Sequence, residues 1–322
     1  MSRLKIAILD DYQGMAFQFA DWSGVQARAD VAVFRENLGS VDEAVAALAD
    51  FDVLCTMRER MPMPAALIER LPKLKLIVVT GAHNRTLDLH AARSRGVVVS
   101  HTRNPGTQYP TAELTWALIL AAARGLTFES RNLRQGGWQQ TVGTTLNGRT
   151  LGVIGLGRIG QGVAGVGRAF GMEVLAWSPN LTEERAAAGG ARLTSKAELL
   201  SRSDVVTLHM VLSDRSRGLL GAEDLAMMRP GAILANTSRG PLVDEAALLG
   251  VLRAGRITAA LDCYDQEPLP ADHPFRTLDN VVAAPHLGYV TREIFEVFYA
   301  DTVEAVEAYM AGTPIRLLQP AS

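Results

Sequence analysis

An α/β protein with two doubly wound parallel sheets is the fold class this sequence predicts, and three observations carry it. Short apolar runs alternate with helical stretches through the N-terminal third of the chain. A second alternating series fills the middle and later parts. Between the two, a glycine-punctuated turn, Gly155-x-Gly157-x-x-Gly160, breaks out of the strand Thr150 to Ile154 and continues without a proline as a helix from Gln161 to Phe170. The 322 residues, at roughly 150 per domain, are enough for two domains with separate apolar cores.

Before the glycine turn, strands are expected at Lys5 to Leu9, Val31 to Phe34, Val53 to Cys55, Leu76 to Thr80 and Val97 to Val99. Helices at Asp42 to Leu48 and Ala65 to Leu71 lie between some of them. After the turn, strands are expected at Glu173 to Trp177, Val205 to His209, Ala232 to Asn236, Ile257 to Leu261 and Asn280 to Ala284. Thr182 is placed to cap a helix whose first turn carries Glu183 and Glu184, which suit the positive helix end. Asp244 is placed to cap another, which stops near Gly255. The helical pattern from Arg292 to Met310 follows the last strand and is expected to return to the first domain. The expected organisation is therefore 1–101, 102–287 and 288–322, with the first and last segments forming one discontinuous domain.

Composition narrows the function classes. A formal net charge of −2 gives no bulk attraction to nucleic acid or anionic lipid. Cys55 and Cys263 lie far apart and form no Cys-x-x-Cys pair, which argues against a disulfide framework or a cysteine-built zinc site; no metal site is expected, and a reducing cytoplasm fits. The N-terminal apolar run reads as a buried first strand rather than a signal peptide, and Leu114 to Ala123 is too short to span a bilayer, which takes ~20 residues. Small solutes are the expected partners.

The glycine turn in this context is the way a fold receives a dinucleotide pyrophosphate. Gly155 permits the tight turn, Gly157 lets backbone N–H groups approach the phosphates, and Gly160 lets helix and strand pack; Arg158 and Ile159 share the helix N-terminus. Three chemically active residues stand just past expected strands of the same sheet: Arg239, Glu267 and His286. In a parallel sheet those strand ends share one edge with the glycine turn, so residues distant in sequence converge on one cleft. A histidine, a carboxylate and an arginine are the set that oxidation of a 2-hydroxy acid by a nicotinamide requires. His286 would take the hydroxyl proton, Glu267 would orient the ring, and the planar fork of Arg239 would grip the substrate carboxylate; taken singly, Arg239 also reads as a surface charge, Glu267 as a turn residue before Pro268 and His286 as a buried polar group.

Four ordered stretches extend the pattern: Leu146 to Gly152 leading into the turn, Asn236-Thr237-Ser238-Arg239-Gly240, Asp262 to Pro268 with its Glu-Pro ending, and Pro285-His286-Leu287-Gly288. With them the chain resembles the D-isomer-specific 2-hydroxyacid dehydrogenase family, in particular its glyoxylate and hydroxypyruvate reductases. The resemblance implies a Rossmann dinucleotide-binding domain and a smaller, discontinuous, flavodoxin-like substrate domain closing over it. It implies Arg239, Glu267 and His286 as the catalytic trio, with Thr237, Asp262 and His209 on the cofactor side. His209 also reads as a satisfied structural histidine. Val79 to His83 occupies the place of the family's carboxylate-binding loop, which makes Gly81, Ala82 and His83 candidates for substrate contact. Arg58 is either a further substrate-facing residue or part of a solvated charge cluster.

The chain departs from the pattern at Ser178, where an acid about 20 residues past the glycines usually binds the ribose hydroxyls. No carboxylate stands there and Arg185 is the nearest downstream cation, so NAD or NADP is open and NADPH tolerance is expected. Tyr289 and Val211 replace residues usual in the family, and Tyr289 is expected to narrow the pocket. The helix Leu114 to Arg124 is apolar nearly all round and needs covering on more than one face. The resemblance implies a homodimer joined through the dinucleotide domains, which would supply that cover; a place between two domains of one chain is the alternative. The competing function is an NAD(H)-sensing, corepressor-like regulator on the same fold; no peptide-binding feature is visible in the sequence.

Overall fold

The computed structural model describes residues 3–318. Residues 1, 2 and 319–322, the extremes of the first and last expected segments, lie outside the described residues. The chain divides into two compact units, one running to Gly106 and resuming at Thr291, the other Thr107–Val290. These limits fall a few residues beyond those expected.

The first unit contains β1 (Leu4–Ile8), α1 (Ala16–Phe19), α2 (Ser23–Gln26), β2 (Ala29–Val33), α3 (Val41–Leu48), β3 (Val53–Thr56), α4 (Ala65–Ile68), β4 (Leu76–Val79), α5 (Leu89–Ser94) and β5 (Val98–His101). Its strands form a parallel five-stranded sheet in the order β2-β1-β3-β4-β5. Strands β3 and β4 are buried along their whole length, which is why they read as continuous apolar runs rather than alternations. Helix α3 begins with a capping box: the Ser40 hydroxyl accepts from the Glu43 N–H while the Glu43 carboxylate accepts from the Ser40 N–H.

The second unit contains α6 (Gln108–Ala123), α7 (Leu126–Arg134), β6 (Thr150–Ile154), α8 (Arg158–Ala169), β7 (Glu173–Trp177), α9 (Glu183–Ala188), β8 (Arg192–Leu193), α10 (Lys196–Arg202), β9 (Val205–Leu208), α11 (Ala222–Met227), β10 (Ile233–Asn236), α12 (Glu245–Arg253), β11 (Thr258–Leu261) and β12 (Val281–Ala283). The final helix, α13 (Arg292–Met310), belongs to the first unit. The seven-stranded parallel sheet has the order β12-β11-β10-β9-β6-β7-β8, so the chain reverses direction between β6 and β9. Thr182 and Asp244 cap α9 and α12, accepting from the Arg185 and Ala247 N–H groups.

Side chains two residues apart share a sheet face, and the two cores of this unit divide accordingly. Leu151, Val153, Val205, Ile233 and Ala235 join the core under α6 and α8, whereas Ile154, Val206, Leu208 and Leu234 join the core under α10, α11 and α12. Helix α6 packs on α8 and against β10, β11 and β12. The Trp116 Nε1 donates to the Val163 carbonyl at 3.1 Å and its ring lies 5.1 Å from Phe170. Elements of its own unit therefore cover Trp116, Leu118, Ile119 and Ala123 of this helix. Tyr109 and Leu120 of α6 remain exposed, and so do the neighbouring Leu126 and Leu133 on α7 and Trp138 and Val142 beyond.

Candidate active site

The glycine turn follows β6 at the point where strand order reverses, which is where open α/β sheets form their ligand crevice. Gly155 has φ +96° and lies so close to the end of β9 that a Cβ would stand 2.6 Å from the His209 carbonyl oxygen. At Gly160 a Cβ would stand 2.1 Å from the Gly155 oxygen. Gly157 differs: it is the N-cap of α8, and no atom lies within 4 Å of where its Cβ would be. The N-terminus of α8, with exposed Arg158 and half-buried Ile159, thus opens on free space and fits a dinucleotide pyrophosphate. Ser178 is half-buried past the end of β7, and the Arg185 guanidinium reaches back to the Asn180 carbonyl at 3.3 Å.

At the same sheet edge Glu267 and His286 meet. The Glu267 Oε2 lies 2.6 Å from His286 Nδ1, and both side chains are 31% exposed. The carboxylate accepts the Nδ1–H, which leaves Nε2 as the nitrogen free to exchange a proton. Burial alone would push the Glu267 carboxyl up; the hydrogen bond and charge of His286, the Tyr264 N–H and the Arg239 guanidinium together bring it below its ordinary value. Arg239 follows the short loop after β10, where Asn236 Nδ2 donates to the Arg239 carbonyl at 2.8 Å and Ser238 Oγ donates to the Met210 carbonyl. The Arg239 Nη1 donates to the Ser238 carbonyl at 2.7 Å. Gly240 packs bare against the Tyr264 backbone, drawing this loop toward the residues that precede Glu267. One edge therefore carries the imidazole, the acid and the guanidinium.

Other expected residues make contacts within the chain. Asp262 is 1% exposed, and its two carboxylate oxygens accept the Leu287 and Gly288 N–H groups at 2.6 and 2.8 Å. Thr237 is buried with its hydroxyl 2.7 Å from that of Thr115. His209 Nε2 lies 2.9 Å from the Thr207 hydroxyl, and burial pushes its pKa down to about 3, so the ring is neutral. Tyr289 is buried, with its ring edge-on to His286 at 5.9 Å.

In the first unit, Arg58 and Gly81 come together at the ends of β3 and β4. Arg58 has φ +52°, its N–H donates to Thr80 Oγ1 at 2.7 Å, and a Cβ at residue 81 would stand 1.8 Å from its Nη1. The Gly81 N–H donates to Thr102 Oγ1 at 2.7 Å. Ala82 is half-buried and His83 exposed in the same loop. Sequence reasoning missed two supports of the histidine turn: the Tyr264 hydroxyl donating to the Ala284 carbonyl, and the Thr111 hydroxyl shared between the Gly288 and Thr107 carbonyls. Tyr264 lay inside a motif already noticed, whereas nothing in the spacing marks Thr111. Among the described residues no group of three or more His, Cys, Asp or Glu gathers that could hold a metal ion, and no helix is long and apolar enough to cross a membrane.

Residues 116–288 match the family model described as D-isomer specific 2-hydroxyacid dehydrogenase, NAD binding domain. The chain is 38% identical to a D-3-phosphoglycerate dehydrogenase of Methanocaldococcus jannaschii over 84% of its own length and 52% of the relative, so it spans about half of that protein. It is 39% identical to a glyoxylate reductase of Aeropyrum pernix over 70% of each chain. The crystal structure of a phosphoglycerate oxidoreductase from Vibrio cholerae superposes with a TM-score of 0.88 at 38% identity, covering 96% of this chain and 99% of the other.

Proposed function

The chain belongs to the D-isomer specific 2-hydroxyacid dehydrogenase family, and from that premise we propose that it transfers a hydride between a nicotinamide cofactor and a small D-2-hydroxy acid/2-keto acid pair, with glyoxylate or hydroxypyruvate as the keto acid. The observation that carries the proposal is the 2.6 Å contact of Glu267 with His286 at the edge that also holds Arg239 and the glycine turn. The bound nicotinamide supplies the hydride donor or acceptor. The Gly157, Arg158 and Ile159 backbone at the start of α8 would hold its pyrophosphate and Ser178 its adenosine ribose.

His286 Nε2 exchanges a proton with the substrate oxygen, taking it in oxidation and giving it in reduction. Glu267 fixes the tautomer and stabilises the imidazolium. Arg239 pairs with the substrate carboxylate. Arg58 and the loop at Gly81, Ala82 and His83 are proposed as substrate-recognition residues of the first unit. With a serine at 178 nothing repels a 2′-phosphate, and Arg185 lies beside that loop, which supports use of NADPH as well as NADH.

A homodimer is also proposed, supported by the exposed Leu126, Leu133, Trp138 and Val142 of the second unit. Both cysteines are buried free thiols, which supports a reducing compartment.

The name of the M. jannaschii relative favours a second substrate, the keto acid of 3-phosphoglycerate. A kinetic panel crossing NADH and NADPH with glyoxylate, hydroxypyruvate, pyruvate and 3-phosphohydroxypyruvate tests both. Turnover of a small unphosphorylated keto acid with either coenzyme supports the proposal, and a preference for NADH above about a hundredfold in kcat/KM, ~2.7 kcal/mol, defeats the NADPH part. No turnover of any keto acid defeats the enzyme.

A further inference from the structure

The histidine turn is held on both sides of the ring-bearing residue by one short stretch of chain. His286 has φ +54°, a left-handed conformation that costs a residue with a Cβ and persists only where its surroundings impose it. Ahead of it, the Tyr264 hydroxyl donates to the Ala284 carbonyl at 2.9 Å. Behind it, the Asp262 carboxylate takes the next two N–H groups, one on each oxygen. The Gly288 carbonyl in turn accepts from Thr111 Oγ1 at 3.0 Å, a hydroxyl it shares with the Thr107 carbonyl at 2.8 Å, so the peptides on either side of Gly288 are each held by one contact. Gly288 leaves just enough room for this: a Cβ there would stand 3.2 Å from Asp262 Oδ2.

We propose that Asp262, seconded by Thr111, is a positioning residue for His286, clamping the peptides that follow the ring so that its Nε2 stays aimed while Nδ1 is tied to Glu267. The proposal rests on the acid/base role of His286 put forward above. An ionised carboxylate offers an acceptor to each N–H. A protonated acid or an asparagine offers one acceptor and turns a donor toward the other N–H, so one tether is lost and the turn relaxes.

Burial pushes the Asp262 carboxyl up to about 6; the Leu287 and Gly288 N–H groups and the charge of His286 oppose that rise, while the neighbouring Glu267 adds to it. Cys263 and Tyr264 are the other titratable groups that sense its charge, and both are pushed up out of the working range. Acidification through this range therefore slackens the clamp while Glu267, held below its ordinary value, remains ionised.

The test is steady-state kinetics in the reduction direction with Asp262→Asn and Thr111→Val, together with cofactor titration by fluorescence and amide NMR of the wild-type protein. Reduction needs the protonated imidazole, which acid favours, so an acid-side loss of kcat reports a carboxylate and not His286. The expected result is a fall in kcat of roughly 100-fold for Asp262→Asn and about tenfold for Thr111→Val, the scale of a small misplacement, with cofactor Kd unchanged. The wild-type acid limb near pH 6 should match a shift of the Leu287 and Gly288 amide protons. A kcat kept intact with cofactor affinity lost would make Asp262 a cofactor ligand and overturn the proposal, as would amide resonances that ignore pH from 5 to 7. If Asp262→Asn fails to fold, Thr111→Val and the wild-type amides decide. If no keto acid is turned over, the functional reading fails while the amide shifts still accept or reject the clamp.

Discussion

Glu267 Oε2 and His286 Nδ1 lie 2.6 Å apart across 19 positions of sequence. The contact exists because β11 and β12 are parallel neighbours, pairing Leu261 with Ala283, so the loops that follow them emerge side by side. It ties His286 to one tautomer and, in the role proposed for that residue, places a negative charge where an imidazolium would form. Glu267→Gln keeps the size and removes the charge. It should lower kcat on the order of 10²- to 10⁴-fold with cofactor affinity retained, measured by cofactor absorbance and fluorescence titration.

Two glycines of the same turn should both lose cofactor affinity on substitution by alanine but differ in stability. At Gly160 the added methyl meets a backbone oxygen that cannot move without opening the turn, so Gly160→Ala should cost about 1–3 kcal/mol of stability and abolish cofactor binding. At Gly157 the space is open, so Gly157→Ala should melt within a few degrees (~3 °C) of wild type and lose cofactor affinity alone. Thermal melts and cofactor titrations separate the two.

Asp301 on α13 is buried and accepts the Arg103 N–H at 2.8 Å and the Arg103 Nη2 at 2.7 Å, fastening the returning helix to the chain just beyond β5. Burial would raise its carboxyl, but Arg103 and Arg316 outweigh that and hold it below its ordinary value. A carboxyl lowered on folding stabilises the protein above its unfolded pKa and loses that contribution as pH falls through the folded one. Asp301→Asn should therefore lower stability by about 2 kcal/mol at neutral pH, with the gap from wild type narrowing below about pH 4. Denaturant titrations at the two pH values check this.

Trp138 is 73% exposed beside Val142, an apolar surface unusual for a chain that works alone. Trp138→Asp combined with Val142→Asp should convert a wild-type dimer to monomer in sedimentation velocity. A monomeric wild-type protein would remove the dimer from the account.

Much of this architecture was legible in the chain. Strand β7 and helix α13 have the limits the sequence predicts, because apolar periodicity and flanking polar residues coincide at their ends. Helix α7 was not expected: it is largely polar, it starts from a left-handed Gly125, and Glu129 secures it by accepting the distant Gln140 N–H. The two-residue β8 is too short to leave a pattern. At the site, Arg239, Glu267 and His286 could be found because each stands just after a strand of one sheet. The use of Asp262 on Leu287 and Gly288, and of Thr102 on Gly81, could not, since each depends on which strands become neighbours.

The most direct measurement of the central claim is the turnover of His286→Asn beside wild type on the keto acid that wild type reduces fastest, with cofactor Kd measured on both. The account predicts that kcat falls by at least about 10²-fold while the cofactor binds as before. A His286→Asn protein that reduces the keto acid at the wild-type rate would contradict it.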